Sequence, residues 1–281
     1  MVTELLSQIS KTLEDANIED FSFEAGIICE EIFGRSFKTD LMLGKLNRKA
    51  TQAERKKAEE MAKRRVSGEP LQYILGEWEF YGLNFKVGKG VLIPRQDTEI
   101  LVETALRLLK GNEAPKILDL CSGSGCIPIT LQTKLPKSEV FAVEYYQEAF
   151  EYLQKNIWLH KSNVNAVLAD ALSGETAEKF TELDIITCNP PYLTESDMHS
   201  LQKEVEFEPA TALYGDTDGL KYYRIISSVY KTCLKAGGYL AFEIGSTQGE
   251  EVAKILSDLG YKNAEIISDY AGLQRVVLAQ K

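Results

Sequence analysis

Four consecutive residues, Asn189-Pro190-Pro191-Tyr192, follow the apolar run "LDIITC" and carry the most specific chemistry in the chain. Proline fixes φ and has no N–H, and each proline also holds the residue before it extended. Asn189 and Pro190 therefore present their polar atoms in set directions. The Asn189 side-chain oxygen and the Pro190 carbonyl make two acceptors for the two N–H groups of one planar –NH2, with Tyr192 stacked on its π face. An amide or ring-attached amino nitrogen has a delocalised lone pair and attacks carbon weakly. Two acceptors on its hydrogens return electron density to it and aim it at an electrophilic carbon, about 3 Å away in a near-attack arrangement. Positioning and a dry site supply the acceleration, and no triad or general base is needed. The plainer reading is a proline-stiffened turn, which gives the asparagine and the aromatic no work.

An electrophile needs a binding loop, and "ILDLCSGSGCIPI" (117–129) has the form of one: an apolar strand, Asp119, a turn through Gly123 and Gly125, then a helix start. Glycine lets a ligand approach the backbone, and the helix N-terminus offers unpaired N–H groups. The dinucleotide pattern is broken, because Ile127 and Pro128 follow Gly125 where a third glycine would come. Asp119 suits an ammonium-bearing ligand such as the methionine part of S-adenosylmethionine, or else braces the turn. Glu144 ends the next strand, where a carboxylate accepts from the hydroxyls of an adenosine ribose. Asp170 ends the third strand, placed to accept from the adenine amino group. Alone, each acid reads equally as solvated strand-end punctuation; together, at three successive strand ends beside a glycine turn, they describe a nucleoside site.

The elements that position these residues are legible as periods. Helical spacing marks Val2, Leu5, Leu6, Ile9 and Leu13, then Ile27, Ile28, Ile32 and Phe33. Thr51 with Glu54 is a capping box for a helix running to about Val66, which Gly68 and Pro70 stop. "EWEFYGLNFKV" alternates around Gly82 as a β-hairpin. Strands and helices then alternate, through "KILDLC", "VFAVE", "NAVLAD", "LDIITCN", "YLAFEI", "AEIISDY" and "QRVVLAQK", the last two with no helix between them. The expected fold is α/β: a Rossmann-like, mostly parallel seven-stranded sheet with helices on both faces, its final strand antiparallel, preceded by a small helical bundle. The boundaries fall at 1–72 for the bundle, 73–95 for a hairpin linker and 96–281 for the α/β domain.

Composition narrows the classes. The chain of 281 residues is 44% apolar and carries a formal charge of −10, of which residues 71–281 hold −9. That balance argues against a stable grip on nucleic acid, which takes clustered cations. Within 45–65, nine cations (among them Arg64 and Arg65) outnumber three anions, either as a solvated helix face or as a docking surface for an acidic partner. Five cysteines without a CxxC pair, and only two histidines, point to reduced thiols and no metal. With no signal-like start and no long apolar run, a cytoplasmic protein that makes no membrane contact is expected.

Several segments make the sequence resemble the release-factor glutamine methyltransferases, the PrmC/HemK family, over nearly its full length: "SGEPLQYILGEWEFYGLNF", "VLIPRQDTEILVE", "ILDLCSGSGCI", "DIITCNPPYL", "FEPATALYGDTDGLKYYRII" and "LAFEIGSTQGEEV". The Asn-Pro-Pro-Tyr tetrad is shared with amino-methylating enzymes acting on adenine; the "PR..TE" and "FEP..AL..G.DGL..YR" segments are more particular. The resemblance implies methylation, from S-adenosylmethionine, of the glutamine amide nitrogen in a release factor's Gly-Gly-Gln loop. It further implies S-adenosylhomocysteine as product, a helical domain that docks the protein substrate, and a monomer. By position it assigns cofactor contacts to Cys121, Ser122, Gly123, Ser124, Gly125, Glu144, Asp170 and Ala171, with Asp119 and Asn189 beside them, and the glutamine pocket to Asn189, Pro190, Pro191 and Tyr192. Cys121-Ser122 stand where Gly-Thr is common, so the turn is expected not to depend on a positive φ at 121. Gln96 replaces a usual proline, and Ala171 stands where an aromatic often covers the adenine. Arg95 suits either the methionine carboxylate or a surface salt bridge. The rivals are an adenine-N6 nucleic-acid methyltransferase and a glutamine methyltransferase acting on a ribosomal protein.

Overall fold

The structure, a computed structural model, describes residues 1–281 and divides into two compact units. The first comprises Met1–Glu77 together with the short segment Gln202–Phe207. It is built from helices α1 (Val2–Asp15), α2 (Phe21–Phe33), α3 (Phe37–Met42), α4 (Gln52–Val66) and α5 (Leu71–Leu75). The spacing read from the sequence is the buried stripe of α1: Val2, Leu5, Ile9 and Leu13 all pack into this unit's core with Ile28, Phe37 and Ala58. The capping box closes α4 as expected, with Thr51 Oγ1 accepting from Glu54 N at 3.2 Å and Glu54 Oε2 accepting from Thr51 N at 2.7 Å.

Much of the basic run at 45–65 is paired inside this unit. On α4, Lys57 pairs with Glu31 and Arg64 with Glu69; ahead of it, Arg48 pairs with Glu54. Arg65 departs from the docking-surface expectation. It is 5% exposed, with Nε 2.7 Å from Glu24 Oε2 and Nη2 2.8 Å from Glu204 Oε1. It falls on the buried stripe Ala58, Met61, Ala62, Arg65, so its charge joins α2 and the 202–207 segment to α4 and faces no solvent. A charge reversal there reports folding, because breaking a buried pair strands the remaining charges.

The second unit, Trp78–Leu201 with Glu208–Lys281, begins with a hairpin of β1 (Glu77–Phe80) and β2 (Leu83–Lys86). Tyr81 and Gly82 both have positive φ, 53° and 79°, the turn that matches strand twist in a two-residue hairpin. Phe80 and Phe85 anchor the hairpin in the core of this unit; of the segment 73–95 expected to be a linker, 78–95 fall in this unit and 73–77 in the first.

The remaining elements are α6 (Glu99–Leu108), β3 (Lys116–Leu120), α7 (Cys126–Lys134), β4 (Glu139–Glu144), α8 (Gln147–His160), β5 (Asn165–Leu168), α9 (Gly174–Ala177), β6 (Leu183–Cys188), α10 (Glu195–Met198), α11 (Lys221–Val229), β7 (Leu234–Glu243), α12 (Gly249–Asp258), β8 (Lys262–Ser268) and β9 (Gln274–Gln280). The seven strands from β3 to β9 form one sheet in the order β5-β4-β3-β6-β7-β9-β8; all pairs are parallel except those of β9, which runs antiparallel to both neighbours. Side chains alternate between two cores: Leu118, Leu120, Ile186, Leu240 and Phe242 on one face, Ile117, Ile185, Ala142 and Ala241 on the other. No helix is long and apolar enough to cross a membrane.

The chain leaves β3 first toward β4 and β5, then returns to lay β6 and β7 on the other side. The order therefore reverses between β3 and β6, and the crevice at the carboxyl ends of such a pair is where open α/β sheets bind ligands. Leu120 lies beside Cys188 in register, so the glycine turn and Asn189 emerge next to each other.

Candidate active site

A cleft of about 860 Å³, counting its open mouth, lies at this switch point. Its walls include Cys121 to Ser124 after β3, Glu144 at the end of β4, Asp170 and Ala171 after β5, and Asn189 and Pro191 after β6. Gly123 (φ 54°) lines the cleft without a side chain, and a Cβ there would meet only Val91, in ordinary contact at 3.9 Å, so the backbone lies bare to a ligand. Gly125 (φ 82°) serves packing: a Cβ there would lie 2.5 Å from Leu153 on α8, and the residue stays out of the cleft wall.

Cys121 overturns one expectation, for it adopts φ 57°. Ser122 N still reaches Val143 O at 3.1 Å, so the chain holds the sheet ladder and must turn within a single residue. A left-handed conformation at a residue with a Cβ costs roughly 1–2 kcal/mol, and packing of the Cys121 side chain against the core offsets part of it.

Glu144 is 6% exposed and holds the loop in shape: Oε2 accepts from Gly123 N at 2.8 Å, and Oε1 from Tyr145 N at 2.8 Å and Tyr146 N at 2.9 Å. Three of its roughly four acceptor positions are thus used by backbone, leaving one on Oε2. Burial raises its pKa, and the three N–H groups work against that shift. Asp170 Oδ1 caps Leu172 N at 2.8 Å. Ala171 brings no ring, but Tyr145, Tyr146 and Tyr222 supply aromatic surface to the cleft from elsewhere. Arg95 lines the cleft and is ion-paired to Glu208, a buried carboxylate rather than a surface one, whose other oxygen accepts from Ile93 N at 3.0 Å.

The tetrad separates two depressions. Asn189 and Pro191 border the main cleft; Pro190 is buried; Tyr192 borders a second hollow with Leu193, Thr247, Gln248 and Arg275. A bracket that the sequence did not reveal grips it from behind. Leu193 N donates to Leu213 O and Gly215 N to Leu193 O, both at 2.8 Å, and Gln248 Nε2 donates to Tyr192 O at 3.1 Å. Asn189 Nδ2 donates to Thr98 Oγ1 at 3.4 Å. A Cβ on Gly215 would lie 2.6 Å from Tyr192 Cα and 2.7 Å from Pro191 O, both backbone atoms that cannot yield. Gly215→Ala should therefore cost about 1–3 kcal/mol in urea unfolding, by overpacking, and should lower activity beyond what that loss of folded protein explains.

Asp119 is not brought to the cleft wall. It is fully buried beneath the turn, with Oδ1 accepting from Thr187 Oγ1 at 2.7 Å and Oδ2 unpartnered. Burial pushes its pKa up to about 7, with the Thr187 bond opposing. Thr98, Gly215 and Gln248 all escaped the reading of the sequence for roles; they lie in "VLIPRQDTEILVE", "FEPATALYGDTDGLKYYRII" and "LAFEIGSTQGEEV", whose only signal was resemblance to the family.

The sheet order, the glycine turn at its switch point and the acid that ends β4 define a methyltransferase of the S-adenosylmethionine-dependent fold. Two solved structures share it: a methyltransferase from Pyrococcus furiosus (TM-score 0.51, 16% identity, 72% of this chain and 90% of that one) and the T. thermophilus 16S rRNA N2 methyltransferase in complex with AdoMet and guanosine (0.53, 18%, 73% and 49%). Residues 4–76 match the family model described as PrmC N-terminal domain, and residues 96–212 that described as methyltransferase small domain. The release factor glutamine methyltransferase of Clostridium botulinum is 36% identical over 100% of this chain and 99% of its own length. That of Fusobacterium nucleatum is 43% identical over 84% of this chain and 67% of its own. The chain belongs to the release factor glutamine methyltransferase family.

Proposed function

We propose that this protein, acting as a monomer in the cytoplasm, transfers a methyl group from S-adenosylmethionine to the side-chain amide nitrogen, N5, of the glutamine in the Gly-Gly-Gln loop of peptide chain release factors, leaving S-adenosylhomocysteine. One observation carries the reading: Asn189, an amide acceptor held by prolines, opens onto the same cleft as a bare glycine turn and the Glu144 carboxylate. The residues fit the cofactor, because Gly123 admits a ligand to its backbone and Glu144 keeps one acceptor position free beside three tyrosines.

When bound, S-adenosylmethionine supplies an electrophilic methyl on a sulfonium. Glu144 accepts from a ribose hydroxyl and Asp170 from the adenine amino group, while the turn from Cys121 to Ser124 and the Ala171 backbone line the nucleoside. Asn189 Oδ1 and the Pro190 carbonyl accept the two hydrogens of the glutamine amide and aim its lone pair. Tyr192, on the other face of the tetrad, is assigned to the glutamine side. The new N–C bond forms as the S–C bond breaks, and the surplus amide proton leaves to water. No metal enters this chemistry, and the negative charge of the chain disfavours nucleic acid as the substrate.

Incubation with methyl-labelled S-adenosylmethionine and a release factor should place one label on the loop glutamine, and none when that glutamine is replaced. Label appearing instead on adenine in nucleic acid, or on a ribosomal protein glutamine, would support one of the rivals.

A further inference from the structure

Prolines stiffen the tetrad between its ends but do not fix the ends themselves. They set φ at 190 and 191 and hold Asn189 and Pro190 extended. Where the Pro190 carbonyl points also depends on how the strip is tethered on each side. One side is tied by the sheet, because Cys188 is in register with Leu120 on β3 and with Phe242 on β7. The other side leaves the sheet at Tyr192, past the last proline, where the backbone is free of any proline restriction. A tether is needed there.

Gln248, the residue that precedes α12, supplies it with its whole hydrogen-bonding capacity. Its Nε2 donates to Tyr192 O at 3.1 Å and to Gly219 O at 3.3 Å. Its Oε1 accepts from Gly245 N at 3.0 Å and from the Tyr223 hydroxyl at 3.3 Å, a proton shared with Glu243 O. A carboxamide has two donors and two acceptor positions, so all four are spent. Only one orientation satisfies them: turned over, the amide would set its –NH2 against the Gly245 N–H and its oxygen against two carbonyls. The backbone is equally close. A Cβ on Gly219 would lie 2.3 Å from Tyr192 O, and one on Gly245 3.0 Å from Gln248 Oε1.

We propose that Gln248 is a positioning residue for methyl transfer: by fixing the Tyr192 carbonyl it closes the tetrad into an arch anchored at both ends, so that Asn189 Oδ1 and the Pro190 carbonyl keep the spacing of the two amide hydrogens they receive. The inference rests on the reading of the tetrad as the carboxamide acceptor. Gln248 borders the hollow behind Tyr192 and stays out of the wall of the main cleft, so its effect on the reaction reaches Asn189 and Pro190 through the backbone of the tetrad.

Two substitutions separate this role from general support of the fold. Gln248→Met removes all four bonds at similar volume. Gln248→Glu keeps the shape and the acceptor for Gly245 N, but turns a carboxylate oxygen toward the carbonyls of Tyr192 and Gly219. Protonation of that carboxyl returns one donor. The ionisable groups around the position are Tyr192, Tyr223, Asp197, Asp218, Glu251 and Arg275; the acids hold such a proton in place and Arg275 opposes them.

The test measures methylation of a release factor by both variants, beside wild type and Asn189→Ala. Gln248→Met and Gln248→Glu should lower kcat roughly 10- to 100-fold, the scale of a misplacement of about 1 Å at the reacting atoms. KM for the release factor and the calorimetric affinity for S-adenosylmethionine should stay as in wild type. Relative to wild type at each pH, the loss in Gln248→Glu should shrink toward acid, while that in Gln248→Met should not change. By hydrogen exchange in the ligand-free protein, the Leu193 amide, bonded to Leu213 O at 2.8 Å, should exchange faster in Gln248→Met, and the Ser122 amide, bonded to Val143 O, should keep its wild-type rate. If Gln248→Glu does not fold, Gln248→Met carries the same test. Wild-type kcat in Gln248→Met, or a loss of cofactor affinity as large as the loss of kcat, with Asn189→Ala inactive, overturns the inference alone; full activity of Asn189→Ala overturns the reading beneath it.

Discussion

Asn189→Ala should bind S-adenosylmethionine nearly as wild type while turnover falls roughly a thousandfold, the upper range for losing one preorganised group that acts on the reacting atoms. The separation between the two effects follows from where the side chain points. Its amide nitrogen is taken by Thr98, so its remaining polar atom is Oδ1. Truncation removes that acceptor but leaves the glycine turn, Glu144 and the three tyrosines of the cleft untouched. Calorimetry with the cofactor and single-turnover methylation measure the two quantities independently. Equal losses in both would make Asn189 a structural residue of the cleft.

Glu144→Gln should have the second largest effect, this time on binding. The carboxylate is the common acceptor for Gly123, Tyr145 and Tyr146. A glutamine can keep its oxygen toward the two tyrosine amides, but its –NH2 then meets the Gly123 N–H, donor against donor. Losing a hydrogen bond to a charged group costs about 1.5–3 kcal/mol, and the turn and the ribose contact are both affected, so the cofactor dissociation constant should rise roughly a hundredfold or more. A pH signature accompanies it. Burial holds the Glu144 pKa above its usual range, so falling pH neutralises the acceptor earlier than for an exposed glutamate and weakens cofactor binding toward acid. That acid limb should be absent in Glu144→Gln, as calorimetry across the pH range would show.

The sequence disclosed those parts of the molecule that are written locally. Strand periods, the Thr51 capping box, the Gly82 hairpin and the order of alternating strands and helices all depend on residues within a few positions of each other. The antiparallel last strand followed from a missing crossover helix. Strand-end acids were legible because a parallel sheet gathers its carboxyl ends on one edge, so Glu144, Asp170 and Asn189 meet although they are far apart in the chain.

What stayed hidden depends on sheet register and on distant partners. Thr98 and Asn189 are 91 residues apart, and Ile93 and Glu208 115. Nothing in "KRRV" distinguishes the buried Arg65 from its solvated neighbours; its partner Glu204 lies 139 residues on, in a segment that leaves the α/β unit for six residues. Composition misled at Cys121, where a side chain was taken to forbid a left-handed turn that the ladder to β4 imposes. Asp119 looked like a ligand contact because it precedes the glycine turn, yet strand alternation sends it inward to Thr187.

The account stands on the carboxamide grip of the tetrad, and a structure of the protein with S-adenosylhomocysteine and a Gly-Gly-Gln release factor would examine it directly. The expected result is the glutamine amide nitrogen within hydrogen-bond reach of both Asn189 Oδ1 and the Pro190 carbonyl, its lone pair directed at the cofactor sulfur. A glutamine held elsewhere, or Asn189 with its nitrogen turned toward the substrate, would contradict it.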